Sequence, residues 1–143
     1  MNLSIHEQLH DVDKTSDKKE KIAKLQGYFK ESNTLAIVFD LTYNDKIKWL
    51  LPPGTPPYNM ADRDQDNQNV FKNSARKLQY FINTKVGNEI KPMRRELMFI
   101  ELLESVHCDD AKLLLSMKDK KLPFKSITKK FIQNAFPNET KSW

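Results

Sequence analysis

The chain has 143 residues, 38% hydrophobic and 30% charged, with three glycines, one cysteine and a net charge of +5. That length buries a core without disulfides or a structural metal, and the composition favours a helical globular protein over a sheet-rich or disordered one. The lone Cys108 has no internal disulfide partner, no apolar run nears the ~20 residues that cross a bilayer, and no basic start followed by an apolar stretch marks a signal peptide, so the expectation is one soluble domain over residues 1–143 in a reducing cytoplasm.

In chain order, Ile5, Leu9 and Val12 recur at helical spacing behind Ser4, a candidate N-cap, and predict a short first helix. From Ser16 to Lys30 a serine cap with Glu20 nearby precedes Ile22, Leu25, Tyr28 and Phe29 on one side and lysines on the other. Leu35 to Leu41 is almost wholly apolar and its β-branched content also suits a strand. Its length and its Ser-Asn-Thr opening favour a buried central helix.

Pro52 to Asn69 holds four of the seven prolines and three alternating aspartates, which predicts a long loop. A helix from about Asn69 to Asn83 follows, with Val70, Phe71, Leu78, Phe81 and Ile82 inward. The next begins at Lys91 and ends near Val106, with Pro92 in its first turn. After a break at His107-Cys-Asp, Asp109 is the expected cap of a helix over Ala111 to Lys118. A last helix spans about Ser126 to Ala135, turning Ile127, Phe131, Ile132 and Ala135 to the core, and a short tail covers 138–143. The fold class expected is all-α, a compact bundle of six to seven helices.

Few residue sets carry chemistry. His6, Glu7 and His10 read His-Glu-x-x-His, with the two imidazoles on one helix face at i, i+4, but no third ligand is evident. Asp62, Asp64 and Asp66 alternate like the start of a calcium loop, yet Asn67 and Asn73 occupy the places that require Gly and Glu. Cys108 beside His107 reads as a structural thiol rather than a nucleophile and its base, since adjacent residues rarely point at each other. Gly27, Gly54 and Gly87 lie too far apart to cradle a phosphate. No catalytic residue, metal or cofactor is expected.

Charge is more informative. Residues 117–143 hold seven lysines against Asp119 and Glu139, so the whole excess of +5 falls there. If Ser126 caps the last helix, the amides of Ile127, Thr128 and Lys129 form a positive helix end, flanked by Lys120, Lys121 and Lys125. That arrangement suits a phosphate; a lysine-rich solvated helix face is the plainer alternative.

Three runs in order carry a family likeness: Glu101-Leu-Leu-Glu-Ser-Val, Asp109-Asp-Ala-Lys-Leu-Leu-Leu-Ser-Met, and Lys120-Lys-Leu-Pro-Phe-Lys-Ser-Ile-Thr-Lys-Lys-Phe-Ile-Gln-Asn-Ala-Phe-Pro. Together they resemble the N-terminal DNA-binding domain of ATP-dependent DNA ligases. Asp17 to Ile22, Leu35 to Tyr43 and Lys46 to Pro53 are similar to the start of the short phage-type ligases, and the likeness covers about Ile5 to Pro137. In the family the basic turn carries a glycine where this chain has Pro123 or Phe124. The nucleotidyltransferase motif Lys-x-Asp-Gly is absent, which excludes ligation by this chain alone. Its lysine-rich, cysteine-poor make-up is also similar to small proteins of T4-like phages.

The resemblance implies a non-enzymatic accessory protein that contacts the backbone of double-stranded DNA with little sequence preference. Lys120, Lys121, Lys125, Ser126, Thr128, Lys129 and Lys130 would carry the phosphate contacts, with Arg94 and Arg95 as a second group. The alternative is a module that binds a host or phage protein through the aromatic and proline loop Leu51 to Met60 and the tail ending in Trp143. An enzyme of another type would rest on Cys108, the histidines and the aspartates, which form no set.

Overall fold

The computed structural model describes residues 3–31, 33–52, 54–59, 70–141 and 143, with backbone alone at 72 and 73. The fold is all-α. Its helices are α1 (Ile5–Lys14), α2 (Lys18–Glu31), α3 (Thr34–Tyr43), α4 (Val70–Ser74), α5 (Lys85–Glu89), α6 (Pro92–Ser105), α7 (Cys108–Lys118) and α8 (Lys129–Ala135), with a 3₁₀ segment over Ala75–Phe81. Among the described residues the only pairing of extended backbone is a single bridge between Trp49 and Ile82.

Local chemistry sets the first helices. Ser4 and Glu7 close a capping box on α1, the Ser4 amide donating to Glu7 Oε1 at 3.0 Å, and Ile5, Leu9 and Val12 form its buried stripe. In α2 the cap is Asp17 rather than Ser16, because Asp17 Oδ2 accepts from the Glu20 amide at 3.1 Å. The apolar stretch from Leu35 to Leu41 is helical, and burial of Leu35, Val38, Phe39 and Leu41 outweighs the strand preference of Ile37 and Val38.

Two later elements depart from the sequence pattern. The helix expected over Asn69 to Asn83 shortens to α4 and tightens to 3₁₀ turns, since its end is drawn into pairing with residues 48–50: the Leu50 amide donates to Phe81 O at 2.8 Å and the Asn83 amide to Lys48 O at 2.9 Å. The turn of α5 then starts at Thr84, whose hydroxyl accepts from the Gly87 amide at 2.9 Å. A side chain at Gly87 has no room, as a Cβ there would lie 2.1 Å from the Ile82 carbonyl oxygen.

α7 is the central element, packed against α1, α3 and α6. Cys108, Ala111, Leu113, Leu114 and Met117 are all buried along it, and full burial of each leucine contributes about 1.5–3 kcal/mol. His107 caps this helix instead of Asp109, its Nδ1 accepting from the Asp109 amide at 3.1 Å. Phe81 meets Phe99 edge-on at 5.3 Å between centroids, and Phe29 stacks on Phe136 at 4.3 Å. Of the expected 52–69 loop, residues 54–59 carry no regular element, while the aspartate run at 62, 64 and 66 lies outside the described residues.

Candidate functional site

The basic segment is fixed from the end of α7. Asp119 closes the helix, Lys120 adopts a left-handed backbone with φ of 66°, its amide donates to Met117 O at 2.8 Å, and the Lys121 amide reaches Ser116 O at 3.2 Å. These two bonds make a Schellman motif with lysine where glycine is usual. The Lys120 ammonium then turns inward and donates to the carbonyls of Leu41 at 3.1 Å, Asn44 at 2.9 Å and Ile47 at 3.1 Å. Burial pushes that ammonium below the usual lysine range, against the opposing charge of Asp45. Lys120 thus clasps the C-terminal end of α3.

Ser126 is likewise engaged. Its hydroxyl donates to an Asp13 carboxylate oxygen and its amide donates to the same oxygen at 3.1 Å, tying the loop after α7 to α1. The Tyr43 hydroxyl donates to Ile127 O at 3.2 Å. Consequently α8 starts at Lys129, with Thr128 rather than Ser126 as its cap, the Thr128 hydroxyl accepting from Phe131 N at 3.1 Å. In this seven-residue helix the Thr128 side chain takes the Phe131 amide, and the start lies two residues beyond the Ser126 cap that the sequence suggests.

The remaining expected contacts divide in two. Lys121, Lys125 and Lys130 are exposed. Lys129 pairs with Asp45 at 3.1 Å, and this hydrogen bond and charge, with Lys120 and Lys48 behind, hold the Asp45 carboxyl below the usual carboxylate range. Of the two arginines at the start of α6, Arg94 is exposed and Arg95 is buried, donating to the carbonyls of Leu50 at 3.2 Å, Gly87 at 2.8 Å and Ile90 at 2.8 Å. The tail folds back: Trp143 Nε1 donates to Asp40 Oδ1 at 3.2 Å, and its ring lies 6.0 Å from that of Tyr43.

A second cluster joins residues that the sequence leaves far apart. Packing of α1 on α7 brings His6 against His107, Asp109 and Asp110, with the two imidazoles stacked at 5.1 Å. Asp110 is fully buried, and its Oδ1 accepts from the His6 amide and faces His6 Nδ1, both at 3.1 Å. Asp110 Oδ2 is buried with no hydrogen-bond partner among the described residues. On the other side of the ring, His6 Nε2 stands 3.2 Å from Asp109 Oδ2. Burial alone would lower the His6 pKa, but the hydrogen bond and charge of Asp110, with Asp109 and Glu7, raise it above the ordinary histidine value. Cys108 Sγ is buried 3.8 Å from His107 Nδ1.

His6 and Asp109 open onto a groove of about 650 Å³ that His10, Glu7, Asp11, Lys14 and Lys112 also line. The sequence pairs His6 with His10 and His107 with Cys108, by proximity along the chain. No local signal links positions 6 and 107; only the docking of α1 on α7 does so. No curated protein and no solved structure matches the chain. A family profile matches residues 8–123, a span that takes in Asp109, Asp110 and Lys120 and stops ahead of Ser126. The chain belongs to that family, a family of unknown function (DUF6433).

Proposed function

We propose that the protein is a non-enzymatic, double-stranded DNA-binding accessory protein that holds the sugar-phosphate backbone with little sequence preference. The observation that carries this reading is the concentration of the whole net charge in residues 117–143, with Lys121, Lys125 and Lys130 all presented to solvent. Lys129 adds to them, because its pair with the exposed Asp45 is screened by solvent and exchanges readily for phosphate. Lys48, within electrostatic reach of Asp45, extends the same basic surface. The likeness of the Lys120 to Pro137 run to a ligase DNA-binding domain supports the same partner. Lys120, Ser126 and Arg95 serve this surface by holding its loops in place, their polar groups being spent on the protein itself.

The test is a gel-shift series on duplex DNA from low to physiological salt. The logarithm of affinity is expected to fall with slope of about −0.9 per phosphate neutralised, and a Lys121→Glu, Lys125→Glu, Lys130→Glu variant is expected to bind no DNA. No complex at the lowest salt, or full binding by the triple variant, would sink the reading.

A protein-interaction module is the second reading, favoured by one observation. Val86, Met93 and Leu97 are 41%, 84% and 49% exposed, the last two one helical turn apart on α6. A protein partner would be released by Met93→Glu with Leu97→Glu and kept by the lysine variant, the reverse of the result expected for DNA.

A further inference from the structure

We propose that His6, His107 and Asp109 bind one divalent transition metal ion of the zinc class. Each residue offers a ligand atom, and all three atoms lie within 4.8 Å of one another. Histidine nitrogen and carboxylate oxygen are the donors such ions take at about 2.0–2.1 Å, which sets two ligands on a tetrahedron about 3.3 Å apart. His6 Nε2 and Asp109 Oδ2 stand at 3.2 Å, and His107 Nδ1 is 3.9 Å from the same oxygen.

The surroundings of His6 point the same way. Both ring nitrogens face carboxylates, Nδ1 towards Asp110 Oδ1 and Nε2 towards Asp109 Oδ2. A neutral imidazole has one N–H, so one carboxylate would meet a lone pair; a second proton or a cation between Nε2 and Asp109 removes that clash. With the N–H on Nδ1, the buried Asp110 orients the ring from behind and leaves Nε2 as the ligand, the carboxylate–histidine–metal arrangement of zinc sites. Beside the cluster, buried Asp110 Oδ2 has no hydrogen-bond partner among the described residues, an acceptor to which a bound ion or its water could answer. Because His6 and Asp109 line the open groove, an ion has an entry path and a coordination position on the solvent side.

Coordination has costs. His107 Nδ1 would exchange its bond from the Asp109 amide for the ion, and the stacked rings must turn to aim both lone pairs at one point. The site is therefore weaker than a closed structural zinc site.

Isothermal titration of the untagged full chain with Zn²⁺ tests the proposal, with Co²⁺ added separately so that visible absorption reports tetrahedral ligation. One ion per chain is expected, with binding weakened at least about tenfold by His6→Gln and by Asp109→Asn, and unchanged by His10→Gln. Histidine ring resonances of the wild-type protein give a readout independent of variant folding: those of His6 and His107 should shift on adding Zn²⁺ and those of His10 should not. No saturable binding below about 1 mM, binding indifferent to His6→Gln and Asp109→Asn, or shifts confined to His10 would each overturn the site.

Discussion

The Tyr28 hydroxyl donates to Asp11 Oδ2 at 2.6 Å and joins α2 to α1. Burial and then this bond push the Tyr28 pKa up to about 12, while the same bond, against a smaller opposing effect of burial, holds the Asp11 carboxyl below its ordinary 3.8. The signs differ at the two ends of the pH scale. The tyrosine contribution is fully present below its ordinary value of 10 and is lost as pH rises towards about 12. The aspartate contribution is present above 3.8 and is lost as pH falls through the lowered value. Tyr28→Phe should therefore flatten both limbs of a stability–pH curve measured by urea unfolding. If the variant keeps the wild-type pH dependence at both ends, the bond is not formed in solution.

Lys120 and Lys121 are neighbours with opposite fates. A lysine at φ of 66° bears a strain of about 1–2 kcal/mol, offset by the three carbonyls it clasps. Lys120→Met keeps the strain and loses the clasp, so a loss of about 2–3 kcal/mol is expected in chemical denaturation; Lys120→Gly relieves the backbone and should cost about 1 kcal/mol less. Lys121→Met at an exposed position should stay within about 0.5 kcal/mol. Equal stability of the Lys120 and Lys121 methionine variants would contradict the clasp.

These neighbours mark where the sequence is readable. α1, α2, α3 and α6 are legible because caps, Pro92 and apolar spacing act within a few residues, and Ser4 with Glu7 is such a case. The 3₁₀ turn over Ala75–Phe81 is set instead by bonds to residues 48–50, and α5 by Thr84 and the close approach at Gly87. Charge along the chain shows that residues 117–143 are basic, but not that Lys120 spends its charge inside, since that follows from a left-handed turn. Arg94 and Arg95 look alike in sequence, and only the packing of α6 sends Arg95 to the carbonyls of Gly87 and Ile90. The cluster around His6 needs α1 docked on α7, a contact spanning more than a hundred positions.

Asp110 is expected to be the most sensitive acidic residue. Its Oδ1 satisfies the His6 amide and faces the His6 ring from a fully buried position. Asp110→Ala leaves those groups unpaired and opens a void, at a cost of about 2–4 kcal/mol, whereas Lys112→Ala on the exposed side of α7 should change stability by under about 0.5 kcal/mol. Thermal unfolding of the two variants measures the difference, and a near-neutral Asp110→Ala would mean that α1 does not dock on α7 through this carboxylate.

Gly27 and Gly87 both lie in helices and should respond to alanine with opposite signs. Around Gly27 in α2 a new Cβ would meet nothing within 4 Å, so Gly27→Ala should stabilise by about 0.5–1 kcal/mol through the lower entropy of the unfolded chain. At Gly87 the Cβ would lie 2.1 Å from a backbone oxygen, and backbone cannot swing aside as a flexible side chain does. Relief requires α5 to move away from Ile82, which pulls the Gly87 carbonyl from Arg95 and strands a buried guanidinium whose Nε already lacks a partner among the described residues. Gly87→Ala is therefore expected to destabilise by about 2–4 kcal/mol, and combining it with Arg95→Met should cost less than the sum of the two, because both act on one bond. Additive losses in a double-mutant cycle would show that the glycine and the arginine are not coupled.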